Sequence, residues 1–273
     1  MNDLTDHFRL AIAAAGLTPP TEIINDGVIH RFSTNGKPTH KNGWYMLHSD
    51  GIAAGAFGDW REGFTQHWCS KSDTSMTEVE RLAHRERVKT RQRQREDDLV
   101  QHQQLAAADA LKRWAAATPC TQHDYLTRKG VHPHGAKTEG DMLLIPMRDT
   151  AGMVRSLQTI APDGTKMFMS GGRVKGCYFG IGKPKGALIV CEGFATGASI
   201  HECTGHAVAI AFNAGNLEAV AVALRRKYPA LNIIIAADDD YQTPGNPGIT
   251  KATAAVQAAG AKLAVPVFKA ATA

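Results

Sequence analysis

Two apolar runs in the last third of this chain end in carboxylates. Ala187-Leu188-Ile189-Val190-Cys191 leads into Glu192-Gly193, and Ile233-Ile234-Ile235-Ala236-Ala237 leads into Asp238-Asp239-Asp240. Short unbroken apolar runs flanked by helical patterns read as buried parallel strands, and open α/β sheets gather ligands at the carboxyl ends of such strands. Carboxylates crowded at one sheet edge repel one another, and the usual remedy is a hard divalent cation with oxygen ligands. The pattern therefore points to phosphoryl chemistry. Asp239 stands between two candidate ligands and faces the opposite way if the chain is still extended there, so it is left out of the site.

The elements that must position these acids alternate in type. From Gly186 onward the pattern is βαβαβαβ: strand 187–191, helix 194–203, strand 207–212, helix 217–228, strand 231–237, helix 249–259 and a last strand from Leu263 to Phe268. Right-handed crossovers place such strands in one parallel sheet with their acidic ends together. Upstream, residues 119–185 read as a β-rich lead-in. A short helix at 123–130 closes on Gly130, and strand-like pieces follow at 142–147, 153–160, 166–168 and 177–179. Residues 76–118 contain no glycine and no proline and are dominated by helix formers, so they predict one long helix or two in tandem, a linker. Its cations Arg85, Arg87, Lys89, Arg91, Arg93 and Arg95 recur at every second position, which on a helix spreads charge around the cylinder as on a solvated spacer. Residues 1–75 mix strand-like pieces with Asp26-Gly27, Asn35-Gly36 and Asn42-Gly43 turns, the mark of a small α+β module suited to DNA binding. Its Trp44, Phe57, Trp60 and Trp68 are expected to fill a small core in preference to forming a base-stacking platform.

The Glu192-Gly193 pair, the Asp238-x-Asp240 motif and the alternation around them resemble the Toprim domain, the catalytic fold of bacterial-type primases, topoisomerases and certain nucleases. The segments Ser156 to Ile160, Asp163 to Phe168, Gly171-Gly172-Arg173 and Ala211 to Leu217 are similar to DnaG-like primases carried by conjugative plasmids and phages. The resemblance covers residues 119–268. It implies a Toprim parallel-sheet catalytic domain behind a primase lead-in, and a nucleotidyltransferase that makes short primers on a single-stranded DNA template from nucleoside triphosphates. It further implies Mg²⁺ or Mn²⁺ held by Asp238 and Asp240, with Glu192 either completing the metal shell or accepting a proton, and a separate replicative helicase as a partner. A Toprim-type nuclease and a non-catalytic single-stranded DNA-binding protein are the alternatives. Two departures stand out: Tyr241 to Pro247 intervene between the acids and Gly248, which in this family opens the next helix directly, and the N-terminal zinc ribbon of replicative primases has no cysteines here.

Anionic substrates need cations beside the acids. Arg148, Arg155, Lys166, Arg173 and Lys175 fall in the lead-in, with Lys166 and Arg173 the leading candidates for template or triphosphate contact. Lys251 falls in the first turn of the helix after the Asp motif, where a helix N-terminus favours phosphate. A formal net charge of +5 suits a polyanionic partner. The five cysteines are scattered without a C-x-x-C pair, so neither a zinc site nor a disulfide framework is expected from them. His132-Pro133-His134 is the closest histidine pair but has no cysteine nearby. No apolar segment is long enough to cross a bilayer and no signal-peptide pattern opens the chain, so the expectation is a cytoplasmic protein without membrane contact. Gly180-Ile181-Gly182-Lys183-Pro184 lacks the ending of a P-loop, which argues against a fused helicase motor.

Overall fold

The computed structural model describes residues 4–36, 41–71 and 76–266. The chain divides into two compact units, residues 1–96 and 97–273. In the first, helix α1 (Leu4–Ala14) precedes an antiparallel sheet of β1 (His30–Phe32), β2 (Gly43–His48), β3 (Ala54–Asp59) and β4 (Phe64–Cys69), in that order. Along β2, buried Tyr45 and Leu47 alternate with half-buried Trp44, Met46 and His48, the period of a sheet with one covered face. The covering element is α1, which buries Phe8 and Ile12. The aromatics divide between two faces. Phe57 and Trp68 pack edge-on with Phe8, whereas Trp44 stacks on Trp60 at 5.8 Å with Arg31 above, outside that core. The expectation that all four fill the core holds for two of them, because Trp44 and Phe57 lie on opposite faces of adjacent strands.

The glycine-free stretch forms one helix, α2 (Glu78–Ala116), 39 residues long. It opens on a capping box: the Thr77 hydroxyl accepts from the Glu80 amide at 3.3 Å and the Glu80 carboxylate accepts from the Thr77 amide at 3.0 Å. Ala106 and Ala110 are its buried residues, which suits a mostly solvated helix.

The second unit holds two five-stranded sheets. One is antiparallel, in the order β5 (Thr118–Pro119), β6 (Lys137–Glu139), β7 (Met142–Arg148), β8 (Val154–Ile160), β9 (Lys166–Phe168), with the short helix α3 (Asp124–Lys129) between its first two strands. The other contains β10 (Phe179–Ile181), β11 (Ala187–Cys191), β12 (Ala207–Ile210), β13 (Asn232–Ala236) and β14 (Lys262–Ala264), ordered β10-β12-β11-β13-β14. Helices α4 (Phe194–Thr204), α5 (Leu217–Lys227) and α6 (Pro247–Ala259) make the crossovers. Strand β11 lies at the centre and feeds two cores by alternation. Ile189 and Cys191 join Phe194, Ala198 and the lead-in residues Leu143 and Ile145, while Leu188 and Val190 join Val220, Leu224, Ala252 and Ala255.

The parallel sheet expected from residue 187 onward is present, and one expectation upstream of it is corrected. The sheet is parallel in its last four strands, but β10 runs antiparallel to β12. Residues 177–179, expected to be a strand of the lead-in, instead lead into this edge strand, because Gly176 turns the chain and Tyr178 bridges to Arg148 before the chain crosses over. The last strand is short, Lys262–Ala264, and the Phe268 end expected for it lies outside the described residues. Among the described residues no helix is long and apolar enough to cross a membrane.

Candidate active site

Strands β11 and β13 are neighbours in parallel register, with Val190 opposite Ile235, so the residues that follow each strand emerge at the same edge. That register places Glu192 and Asp238 side by side. The charges of Asp238 and Asp240 act on Glu192, and that of Asp240 on Asp238. Burial, reinforced by these neighbouring negative charges, pushes the carboxyls of Glu192 and Asp238 above the usual range. Two influences oppose that rise at Glu192, the Ala214 backbone amide and the Lys166 ammonium. Beneath the acids Cys191 is fully buried, and burial pushes its thiol up as well, with Asp238 and Glu192 adding to the effect.

Local structure fixes each carboxylate. Gly193, in extended conformation, is the N-cap of α4, so the helix starts immediately after Glu192-Gly193. Asp240 accepts from the Gly248 amide at 3.1 Å, which leaves its second oxygen free of that bond. Only glycine fits there: a Cβ on residue 248 would come within 2.2 Å of the Asp238 carbonyl oxygen. The seven-residue insertion therefore does not remove the glycine from its place beside the acids. Asn246 closes the detour, taking a left-handed φ of 40°, accepting from the amides of Asp240 and Ile249 and donating to Asp239 at 2.7 Å. Asp239 is thus engaged within the loop.

The cations expected from the lead-in separate into groups. Lys166, exposed on edge strand β9, is the one whose charge bears on Glu192 and Asp238, and its ammonium lies 5.8 Å from the Tyr125 ring. Arg155 and Arg173 both turn to Asp149, at 2.7 and 3.5 Å. Arg148 donates to the Gly152 carbonyl at 2.9 Å and lies 5.8 Å from the Trp114 ring. Lys175 is exposed in a loop. Helix α6 begins at Pro247, two residues before its expected start, so exposed Lys251 falls beyond the first turn, where the pull of the helix N-terminus fades.

Two site residues escaped the sequence reading. Buried Asn216 accepts from Gly176 and donates to the carbonyls of Cys177 and Ala211, which braces the loop that carries the Ala214 amide to Glu192. Asp149 organises the two arginines, and its carboxyl lies low: burial alone would raise it, but the Arg155 bond and the Met153 amide prevail. The Asn213-Ala214-Gly215-Asn216 segment was a signal for the first; nothing local marks the second.

The donor set fits a hard cation. Glu192, Asp238 and Asp240 offer oxygen atoms only, are partly exposed, and crowd negative charge that an ion would relieve. The three described side chains whose ligand atoms all lie within 4.8 Å of one another are others: His132, His134 and Glu202.

A mainly parallel sheet between helices, with Glu-Gly at one strand end and Asp-x-Asp at the next, defines a Toprim domain. Residues 187–272 match that family, and the chain carries a Toprim domain over this stretch. Along 96% of its length the chain is homologous to two proteins of Escherichia coli, each named DNA primase TraC, at 35% and 36% identity. It spans 26% of one and 19% of the other, about a quarter and a fifth of their lengths. Among solved structures, the primase fragment of the bacteriophage T7 primase-helicase protein aligns with a TM-score of 0.40 and 16% identity, over 56% of this chain and 71% of that one. The DnaG primase catalytic domain bound to ssDNA aligns with a TM-score of 0.37 and 15% identity, over 62% of each chain.

Proposed function

We propose that this chain is a DNA primase, a nucleotidyltransferase that synthesises short primers on single-stranded DNA from nucleoside triphosphates for a plasmid, phage or mobile element. The observation that carries the reading is the acid edge itself: Glu192, Asp238 and Asp240 at adjoining strand ends, with two of their carboxyls raised by burial and by neighbouring acidic charge, in a chain homologous along 96% of its length to proteins named DNA primase. Asp238 and Asp240 would hold Mg²⁺ or Mn²⁺. Such an ion, when bound, lowers the pKa of the attacking 3′-hydroxyl and neutralises charge on the triphosphate.

The protein's own residues supply position and charge. Gly248 orients Asp240 through its amide, and the Ala214 amide orients Glu192. Glu192, made more basic by burial and by Asp238, is suited to take the proton as the hydroxyl joins the α-phosphorus and pyrophosphate departs, or to complete the ion's shell. Lys166 meets the anionic template or triphosphate at the rim. Arg148, Arg155, Arg173, Lys175 and Lys251 serve phosphate contact less directly. A separate replicative helicase would deliver the template. Residues 1–75 act as a zinc-free DNA-binding module, 76–118 as a helical linker, 119–185 as the primase lead-in and 186–273 as the Toprim domain, boundaries that limited proteolysis would map.

One assay decides. The protein is incubated with circular single-stranded DNA, labelled nucleotides and Mg²⁺ or Mn²⁺, and both labelled oligomers and template length are followed. New oligomers that vanish with Asp240→Asn support the proposal. Shortened template indicates a nuclease instead, and a mobility shift with neither indicates a binding protein.

A further inference from the structure

The loop that leaves α3 carries His132-Pro133-His134-Gly135 across to the last turn of α4, where Glu202 stands. His134 Nε2 lies 2.5 Å and His132 Nδ1 3.3 Å from the same Glu202 oxygen, which also accepts from the His132 backbone amide at 2.8 Å. Sequence alone offers two histidines; the fold adds a carboxylate some 70 residues away.

Three features set this group apart from a surface ion pair. His134 holds a left-handed φ of 45°, a conformation that side-chain-bearing residues keep only where the surroundings require it. Glu202 lies two residues before the end of α4, where the helix dipole disfavours an anion and calls for a compensating cation. Finally, the His201 ring meets His134 edge-on at 5.3 Å and donates from Nδ1 to the His206 carbonyl at 2.7 Å, which holds that ring in place beside the cluster.

We propose that His132, His134 and Glu202 bind a borderline divalent transition ion, zinc foremost, that clasps the α3 loop to the end of α4. Two imidazole nitrogens and one carboxylate oxygen are zinc ligands, and water takes the fourth position. Bonds of about 2.1 Å in a tetrahedron separate ligand atoms by roughly 3.4 Å. The His132 to Glu202 spacing of 3.3 Å already meets that, and the 2.5 Å contact of His134 opens by about 1 Å as the ion enters. The site lies at the opposite end of α4 from Gly193 and the acid edge, so it is separate from the Mg²⁺ or Mn²⁺ site. Its reach is nonetheless indirect: α3 carries Tyr125, whose ring lies beside Lys166.

Calorimetric titration of the full chain with zinc chloride, in buffer already saturating in Mg²⁺, tests this, with Co²⁺ as a spectroscopic substitute. The expected result is one zinc per chain, bound at least tenfold more tightly than by His134→Ala or Glu202→Gln, and visible d–d bands of near-tetrahedral cobalt in the wild type. Asp238→Asn should keep both signals. Equal uptake by wild type and His134→Ala overturns the proposal, as does loss of uptake in Asp238→Asn in place of the clasp variants. Should the clasp variants not fold, the cobalt spectrum of the wild type decides alone, and its absence overturns the site. None of these outcomes depends on whether the chain makes primers.

Discussion

The acid edge and the Asp149 cluster use the same residue types in the same unit and reach opposite electrostatic states. Asp149 accepts from Arg155 and Arg173 and from the amides of Ala151 and Met153, and its carboxyl lies low. The carboxyls of Glu192 and Asp238 are raised by burial first and by the neighbouring acids second, with Lys166 as the cation opposing the rise. The difference separates an acid that completes a structure from acids whose excess charge would suit the cation proposed for them. Two arginines neutralise the first internally; the second group keeps its excess of negative charge at a partly exposed edge. Crowding of this kind destabilises the fold unless an external cation relieves it, so its persistence points to function.

Substitutions should pull the two regions apart. The largest effect is expected from Asp240→Asn, which should reduce primer synthesis by roughly 10²- to 10³-fold while circular dichroism and the melting midpoint change little. Retained synthesis would erase the distinction drawn above. Asp149→Ala should act the other way, costing about 1–3 kcal/mol of stability by leaving two half-exposed arginines unpaired, as read by urea denaturation. Lys166→Met should lower activity about tenfold, mainly through weaker nucleotide or template binding at raised ionic strength, with stability preserved because the side chain is exposed. The smallest effect sharpens the comparison most: Asp238→Asn should raise the metal-free melting midpoint by a degree or two, on the order of 0.5 kcal/mol, and saturating Mg²⁺ should abolish the gain.

The acid dependence of stability follows from the same contrast. Asp149 has a folded pKa below its unfolded value of about 3.9, so its contribution is complete above that value and is lost as pH falls through the folded one. Glu202 behaves alike: the His132 amide and the His134 ring hold it down at about 2, so its contribution is complete above its unfolded value and is lost as pH falls from there through about 2. Denaturation curves between neutral pH and pH 2 should therefore show Asp149→Ala losing part of the wild-type slope near the carboxylate range.

Much of this was readable in the chain, for physical reasons that also mark the limits. Runs such as Ala187 to Cys191 and Ile233 to Ala237 are apolar on both faces, so they could only be central strands, and the acids after them could only be strand ends. Helix α2 was evident from composition, since nothing in it breaks a helix. The helical part of the N-terminal module was expected without a position, because the Phe8 and Ile12 of α1 form too brief a stripe to stand out. Edge strand β10 escaped for a related reason: three residues carry little periodicity, and their direction depends on a crossover set elsewhere. The partners of Arg155 and Arg173 were illegible because Asp149 meets them through turns, not through spacing. The meeting of His132 and His134 with Glu202 depends on how the lead-in packs on α4, which no local pattern encodes.

The Asn246 closure separates the acid edge from the excursion beside it. With Asn246 bonded to the amides of Asp240 and Ile249, and Gly248 reaching back to the Asp240 carboxylate, the excursion from Tyr241 to Gly245 hangs outside a fastened ring. Backbone bonds tie it to that ring, from the Thr243 amide to the Asp240 carbonyl at 2.7 Å and from the Asn246 amide to the Thr243 carbonyl at 2.9 Å, so side-chain changes at Tyr241 or Gln242 should leave the acids in place. Tyr241, exposed at its start, stands next in sequence to Asp240 and is the residue through which the excursion could be altered beside the acids.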